Sequence, residues 1–267
     1  MQKYRICSLY SGSSGNSVYI GNSRGGFLID AGKNAKALCR ALFDAKISED
    51  DIKAIFITHE HGDHISALPV FLKKHDVPVH ITAPSASKLL ERLPCELADR
   101  VCTHPPLFCE QVGDFKVSSF ITPHDSKMSV GYRIELADAS GSIFIGYATD
   151  IGHVTNSIRE GLDGCESVII ESNHDVEMLL SGPYPYDLKC RIKSDTGHLS
   201  NESCSELCSH LAMSGTKNFL LAHLSEQNNM PEIALCEFVA TLGKDTVNVK
   251  VAAPDAVTEL LEEANLC

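Results

Sequence analysis

The segment HEHGDH, at positions 59–64, holds three histidines and an aspartate within six residues, directly after the apolar run AIFIT. Neutral imidazole is a common ligand of Zn²⁺, and a carboxylate suits Mn²⁺ as well. With 12 histidines in 267 residues, the pattern HxHxDH arises by chance in about one such chain per thousand. Four ligands so close together do not fit easily around one tetrahedral ion, so the spacing predicts two metal centres.

Short strands and helices position this segment. Helices are predicted at about 34–45, 65–75, 84–93, 185–193, 201–213 and 231–242, and a short helix closes the chain. Strands are predicted at YRICSLY, SVYIG, GFLIDAG, AIFIT, FKVSSFI, SVGYRIEL, GSIFIGYATD, ESVIIES, TKNFLLAH and VNVKVAA. This order indicates two sheets face to face with helices outside, within one domain spanning residues 1–267. The pattern alone also allows a doubly wound sheet.

Composition limits the classes of protein to consider. Hydrophobic residues make up 43% and charged residues 22% of the chain, as in ordinary globular proteins. The N-terminus MQKYRICSLY has no apolar signal-peptide core, and no run approaches the ~18 apolar residues that span a bilayer. We therefore expect a cytoplasmic protein that does not cross a membrane. The 11 cysteines are scattered and include no CxxC pair, which favours reduced thiols.

The net charge of −12 argues against non-specific attraction to nucleic acid or to an acidic membrane. A pair of divalent cations reverses the potential locally, and such cations are absent from the formal count. An enzyme that acts on nucleic acid is therefore compatible with this acidic composition.

The stretch THEHGDH resembles the signature of the metallo-β-lactamase superfamily, and the resemblance follows the whole chain in order. It implies an α/β fold, the αββα four-layer sandwich, with Asp30 beneath a site of two divalent metal ions, Zn²⁺ or Mn²⁺. Each remote ligand that it implies follows a predicted strand. The resemblance assigns His59, His61 and His124 to one metal and Asp63, His64 and His223 to the other, with Asp150 shared.

The superfamily includes lactamases, thioester hydrolases, sulfur oxygenases and nucleases, so the fold alone does not give the reaction. Asp150 stands where lactamases of the common type carry cysteine, and PHDS replaces the GHT of glyoxalases. The β-CASP insert has no room between Asp150 and His223. Four stretches are similar to the YycJ/WalJ branch: SLYSGSSGNSVYIG, ESNHDVEML, YPYDLKCRI and GHLSNE. This resemblance implies an exonuclease that acts on DNA from the 5′ end, linked to mismatch repair.

Two further segments suit phosphate chemistry. The turn SGSSGNS offers outward backbone N–H groups and the side chains of Ser13, Ser14 and Asn16 to a phosphate, although such turns also simply join strands. The segment DLKCRIKS predicts a helix that presents Lys189, Arg191 and Lys193, either to the DNA backbone or as a solvated face.

Candidates for proton transfer lie in ESNHD and GHLSN. Glu171, Asn173 and His174 end a predicted strand and are expected to support the metal ligands or to protonate the leaving group; polar core contacts would explain them equally. His198 precedes a predicted N-cap at Ser200. In the expected reaction a hydroxide between the metals attacks phosphorus, the catalytic carboxylates Asp63 and Asp150 position it, and His174 or His198 protonates the departing oxygen. The remaining histidines are predicted to be structural: His75, His80, His104, His153 and His210.

Two alternatives stay open. One is a hydrolase of a small cyclic phosphodiester or of a thioester. The other belongs to a different class, a metal-dependent sensor or binding module without turnover, against which the complete ligand set argues. Turnover of end-labelled DNA beside bis-p-nitrophenyl phosphate discriminates between them.

Overall fold

The computed structural model describes residues 4–138, 141–243 and 247–261. Its contacts divide the chain into two compact units. Unit 1 comprises Met1–Asp114, Ser126–Met128 and Ala253–Cys267, and unit 2 comprises Phe115–Asp125 and Ser129–Ala252. Each unit has a mixed sheet and helices of its own, so the prediction of two sheets rather than one doubly wound sheet is confirmed. The single-domain organisation stays a prediction.

Unit 1 contains seven strands of one sheet. They are β1 (Arg5–Tyr10), β2 (Ser17–Asn22), β3 (Gly25–Ile29), β4 (Ile52–Phe56), β5 (Val79–Thr82), β6 (Val101–His104) and, late in the chain, β14 (Thr258–Leu261). Their order is β14–β1–β2–β3–β4–β5–β6. β14, β1, β2 and β3 pair antiparallel, whereas β3 to β6 pair in parallel. The carboxyl ends of the parallel strands therefore share one sheet edge.

The helices of unit 1 are α1 (Ala35–Asp44), α2 (Gly62–Ile65), α3 (Leu68–Phe71) and α4 (Ala83–Leu90), with 3₁₀ turns at Glu49–Asp51 and Cys95–Arg100. α1 begins where the Asn34 side chain accepts a hydrogen bond from the backbone N–H of Ala37. Its apolar face packs into the same core as the strands. A single helix over 65–75 is wrong: Pro69 has no N–H to donate and clashes with the preceding turn, so the chain forms two short helices instead.

Unit 2 begins after β7 (Cys109–Val112) and contributes six strands to a second sheet. They are β8 (Phe115–Ile121), β9 (Val130–Asp138), β10 (Gly141–Ala148), β11 (Ser167–Glu171), β12 (Asn218–Ala222) and β13 (Asn248–Val251). These strands run in the order β13–β12–β11–β10–β9–β8, parallel from β10 to β13 and antiparallel from β8 to β10. All five residues of β11 are buried, as expected for a central parallel strand.

The helices of unit 2 are α5 (Asn156–Leu162), α6 (Val176–Ser181), α7 (Tyr186–Ile192), α8 (Asn201–Met213) and α9 (Pro231–Leu242). α8 and α9 have the predicted bounds. α5 and α6 were not predicted, because six or seven residues are too few for a clear helical period. The predicted closing helix is wrong over Thr258–Leu261, where pairing with β1 overrides the helix preference of Glu and Leu; residues 262–267 lie outside the described ones.

The predicted thiols are confirmed for the ten described cysteines, all of which are free. Cys204 and Cys208 lie in the core of unit 2 with their sulfur atoms 4.0 Å apart. Within the residues that the structure describes, no helix has the length and apolar character needed to cross a bilayer.

Candidate metal centre

The four predicted ligands of the HEHGDH segment lie close together in unit 1. The segment leaves β4 in extended conformation and turns into α2, for which His61 is the N-cap residue. The ring centroid of His59 lies 4.5 Å from that of His61 and 4.2 Å from that of His64. The Asp63 carboxylate lies 3.3 Å from Nε2 of His64. His59 and His64 are fully buried, whereas His61 and Asp63 are half-buried.

Asp30 orients this cluster from the end of β3. Its Oδ2 accepts a hydrogen bond from Nδ1 of His64 at 2.8 Å, and its Oδ1 accepts one from the Thr58 backbone N–H at 2.9 Å. Burial raises the pKa of Asp30, while His64 and Thr58 act in the opposite direction. Because Nδ1 of His64 donates to a carboxylate, its Nε2 carries the lone pair that a metal needs. Thr58 was missed in the sequence, although it stands first in THEHGDH.

The turn between β1 and β2 supports the same segment. Asn16 is buried. Its side-chain Oδ1 accepts a hydrogen bond from the Gly12 backbone N–H at 2.9 Å, and its own backbone N–H donates to the Asp63 carbonyl at 2.8 Å. Asn16 therefore positions Asp63, and its side chain is engaged within the turn. Ser13 and Ser14 are exposed, so a phosphate-binding role for this turn stays a prediction that rests on these two side chains.

Gly32 makes the approach of these segments possible. A Cβ at Gly32 would lie 1.8 Å from the carbonyl oxygen of Asp63 and 2.6 Å from the backbone nitrogen of Asn16.

We expect Gly32→Ala to displace Asp63 and to lower the free energy of unfolding by about 1–3 kcal/mol, measured by urea denaturation. Gly164→Ala is the matched control, because Gly164 has φ +66° with nothing within 4 Å and tests backbone strain alone. If Gly32→Ala lowers the free energy of unfolding no more than Gly164→Ala does, the close approach of Gly32 to Asp63 and Asn16 is contradicted.

A second cluster forms within unit 2, where the ligand atoms of Asp150, Glu171, His198 and His223 all lie within 4.8 Å of one another. His124, the other predicted ligand in this unit, has Nε2 at 3.6 Å from Oδ1 of Asp150. Nδ1 of His124 donates to the carbonyl of Gly197 at 3.2 Å, which directs Nε2 to the cluster. Burial lowers the pKa of His124 and so favours the neutral imidazole that binds metals.

Glu171 is the centre of this second cluster. Its Oε1 accepts hydrogen bonds from Nδ1 of His198 at 2.8 Å and from Nδ1 of His223 at 2.7 Å. Its Oε2 accepts the backbone N–H groups of Ile151 at 2.7 Å and Leu199 at 3.0 Å. Burial by itself raises the pKa of Glu171, but the two histidines outweigh burial and lower this pKa to about 2. The carboxylate stays ionised and fixes both rings.

The neighbours of Glu171 differ in what they contact. The Asn173 side chain donates to the backbone carbonyl of His223 at 2.8 Å and so holds the loop after β12. His174 is 2% exposed, and its Nδ1 has no hydrogen-bond partner among the described residues. Burial lowers the pKa of His174 to about 4. Burial also opposes protonation of His198, but Glu171 outweighs it and raises the pKa of that imidazole.

Three candidate residues share an unusual backbone conformation. Asp30, Asp150 and His223 have φ values of +62°, +57° and +57°, in the left-handed region that non-glycine residues rarely adopt. Each follows a strand, β3, β10 or β12. Such strain costs about 1–3 kcal/mol and is found where surrounding structure enforces it, often at functional sites.

The donor sets fit divalent metal ions. Unit 1 supplies three imidazoles and the Asp63 carboxylate, and unit 2 supplies imidazoles around Asp150. In each unit a buried carboxylate, Asp30 or Glu171, takes the Nδ1 proton of a predicted ligand, which is the usual support of a metal-binding histidine. Imidazole and carboxylate together suit Zn²⁺ and Mn²⁺ alike.

The predicted basic helix is only partly available to a ligand. Nζ of Lys189 donates to the carbonyls of Leu180 at 2.7 Å and Gly182 at 2.8 Å, so it holds the end of α6. Nε of Arg191 donates to Asp125 at 2.6 Å. Lys193 follows α7, is exposed, and forms no ion pair with any described residue. Of the three cations, Lys193 is the one best placed to meet a ligand.

Known proteins resemble this chain over most of its length. The family model described as "Beta-lactamase superfamily domain" matches residues 26–224. Exodeoxyribonuclease YycJ of Bacillus anthracis is 35% identical over 229 residues, which cover 85% of this chain and 84% of that one. Exodeoxyribonuclease WalJ of Streptococcus pneumoniae is 34% identical over 270 residues, which cover 97% of each chain.

A solved structure confirms the predicted fold. The metallo-β-lactamase fold protein YhfI from Bacillus subtilis matches with a TM-score of 0.72 and 16% identity, covering 97% of this chain and 100% of that one. At this identity the match establishes the fold alone, whereas the two relatives above establish the family. The chain therefore belongs to the β-lactamase superfamily, in its YycJ/WalJ branch, and is a metal-dependent hydrolase.

Proposed function

We propose that this chain is a dinuclear metal-dependent phosphodiesterase, a DNA exonuclease that works from the 5′ end in cytoplasmic DNA repair. The observation that carries the chemistry is the buried Glu171 carboxylate, which holds His198 and His223 beside Asp150. The choice of DNA is supported by the relatives named exodeoxyribonuclease, one of which matches over 97% of both chains. Polarity and the link to repair rest on the resemblance to the branch.

The proposed metal ligands are those that the superfamily resemblance assigns. This set stays a prediction: His59, His61 and His124 for one ion, Asp63, His64 and His223 for the other, and Asp150 shared. When bound, two divalent ions activate a water molecule and neutralise charge on the phosphate that is attacked. Asp63 and Asp150 would also accept hydrogen bonds from the attacking water and so position it for attack on phosphorus.

His198 is the better of the two proposed acids. Its Nδ1–H is held by Glu171 at 2.8 Å, so Nε2 is the nitrogen that can give a proton to the departing oxygen. The negative charge of Glu171 stabilises the protonated ring that this role requires. Neither ring nitrogen of His174 forms a hydrogen bond with a carboxylate of a described residue. Its pKa of about 4 keeps the ring neutral. We therefore assign proton donation to His198 rather than to His174.

A substrate panel tests this function. Metal-loaded protein is offered DNA labelled at the 5′ or the 3′ end, bis-p-nitrophenyl phosphate, a cyclic dinucleotide and a thioester, each with Mn²⁺ and with Zn²⁺. We expect release of labelled mononucleotide from 5′-labelled DNA at the earliest times, and delayed release from 3′-labelled DNA. Turnover of a small substrate without hydrolysis of DNA would replace the nuclease by the small-substrate hydrolase. Metal binding without any turnover would indicate the sensor.

A further inference from the structure

Unit 2 contains a cavity of about 290 Å³ beside His198. Its wall is formed by the loop after β10, by α5, by the start of α6 and by Lys193. The residues just before α8 and its first two turns complete the wall. The volume is close to the lower end of the range for small-molecule sites. None of the residues assigned above to metal ligation lines this cavity, and His198 is the group that it shares with the cluster around Glu171.

The charged residues of the cavity favour an anion. Arg159 from α5 and Lys193 after α7 are both exposed at the cavity, and neither forms an ion pair with any described residue. Glu206 on α8 is the one acidic residue among the lining side chains. The formal charge of the lining is therefore positive, in a chain whose net charge is −12. Unpaired cations that converge on a concave surface are typical of phosphate-binding sites.

Two polar features of the wall also point to a bound ligand. α8 has 13 residues and begins at the cavity, with Ser200 as its N-cap; the N-terminus of a helix attracts negative charge. His174 lines the same cavity, is 2% exposed, and has no hydrogen-bond partner at Nδ1 among the described residues. Buried polar atoms without a partner are rare in folded proteins, so this unpartnered ring in the wall is a second feature typical of a ligand site.

We propose that this cavity binds a phosphate group of the nucleic-acid substrate, next to the bond that is cleaved. The inference rests on the proposed function and adds a substrate-positioning site to it. His198 lies between the cavity and the Asp150–Glu171 cluster. A phosphate held by Arg159 and Lys193 therefore fixes how far the nucleic-acid strand advances past His198, the proposed proton donor. The group bound is either a terminal phosphate monoester or an internal diester.

The test compares two double variants of the metal-loaded protein. Arg159→Gln with Lys193→Gln removes the cavity cations, and Lys36→Gln with Lys73→Gln removes two exposed lysines of unit 1 that form no ion pair with a described residue. Affinity for inorganic phosphate is measured by calorimetry, and KM is measured for oligonucleotides that end in a 5′-phosphate or a 5′-hydroxyl. In the cavity variant we expect phosphate binding to weaken by about tenfold or more. Glu206→Gln is expected to strengthen it.

The oligonucleotides identify the phosphate. A preference for the 5′-phosphate that disappears in the cavity variant identifies a terminal monoester; an equal rise in KM for both oligonucleotides identifies an internal diester. If the cavity variant has the same phosphate affinity and KM as the lysine control, the proposal is overturned. The nuclease function would still stand if DNA is degraded. If the wild-type protein binds phosphate but degrades no DNA, and the cavity variant loses that phosphate affinity, the cavity site stands and the nuclease function fails.

Discussion

Replacing Glu171 with glutamine is expected to lower the turnover of DNA by about 10²–10³-fold and the affinity for metal by about 10–100-fold. Four donors converge on this carboxylate: Nδ1 of His198, Nδ1 of His223 and the backbone N–H groups of Ile151 and Leu199. A glutamine amide has only one oxygen. In either orientation its NH₂ group faces two of these donors, so the orientation of the histidines or the entry to α8 is lost.

Three measurements check this result: turnover with saturating metal, metal affinity by competition with a chelator, and unfolding in urea. Glu160→Gln on the exposed face of α5 is the matched control, because it removes one negative charge without touching the cluster. A variant that keeps near-normal turnover and metal affinity would show that Glu171 neither orients His223 nor supports His198. A loss of stability alone, with normal turnover in the folded fraction, would contradict the proposed role equally.

Replacing both His59 and His64 with alanine is expected to reduce bound metal from two ions per chain to nearly none. The resemblance assigns these two histidines to different metals, and both are fully buried within unit 1. Each metal centre then loses one of its imidazole ligands and keeps too few protein ligands to hold an ion tightly. DNA hydrolysis should disappear with the metal.

Metal content is measured by elemental analysis after purification without chelator, and circular dichroism establishes that the variant is folded. His210→Ala is the matched control, since His210 is exposed on α8 and lies outside both clusters. A folded double variant that retains one tightly bound ion would overturn the assignment of these histidines to two centres.

Local signals in the sequence predict part of the fold well. α8 and α9 have the expected bounds because Ser200 caps one helix and Pro231 occupies the first turn of the other. Pro69, which divides the predicted helix 65–75, is also visible in the sequence, and its missing N–H outweighs the helical spacing of the apolar residues around it. β14 is different, because its conformation depends on pairing with β1 from the far end of the chain.

The candidate site divides in the same way. His59, His61, Asp63 and His64 are found from spacing, since one short segment carries them all. The central place of Glu171 depends on four donors from three segments of the chain. The positive φ values of Asp30, Asp150 and His223 have no signal in residue types. Arg159 was missed because its position beside the start of α8 depends on the packing of α5.

For the predicted basic helix, the sequence suggests more cations available to a ligand than the structure leaves. Lys189, Arg191 and Lys193 look equivalent in DLKCRIKS, yet Lys189 holds backbone carbonyls near the end of α6 and Arg191 pairs with Asp125. A charge pattern predicts where cations lie along a helix, whereas their partners come from other elements. Lys193 alone of the three lines the cavity beside His198.

A metal titration tests the central claim most directly. Protein stripped with a chelator is titrated with Mn²⁺ or Zn²⁺, and hydrolysis of 5′-labelled DNA is followed at each ratio of metal to chain. The proposed dinuclear nuclease predicts no hydrolysis without metal and activity that rises until two ions are bound per chain. Hydrolysis that persists in excess chelator, or activity that is already maximal with one ion per chain, would contradict it.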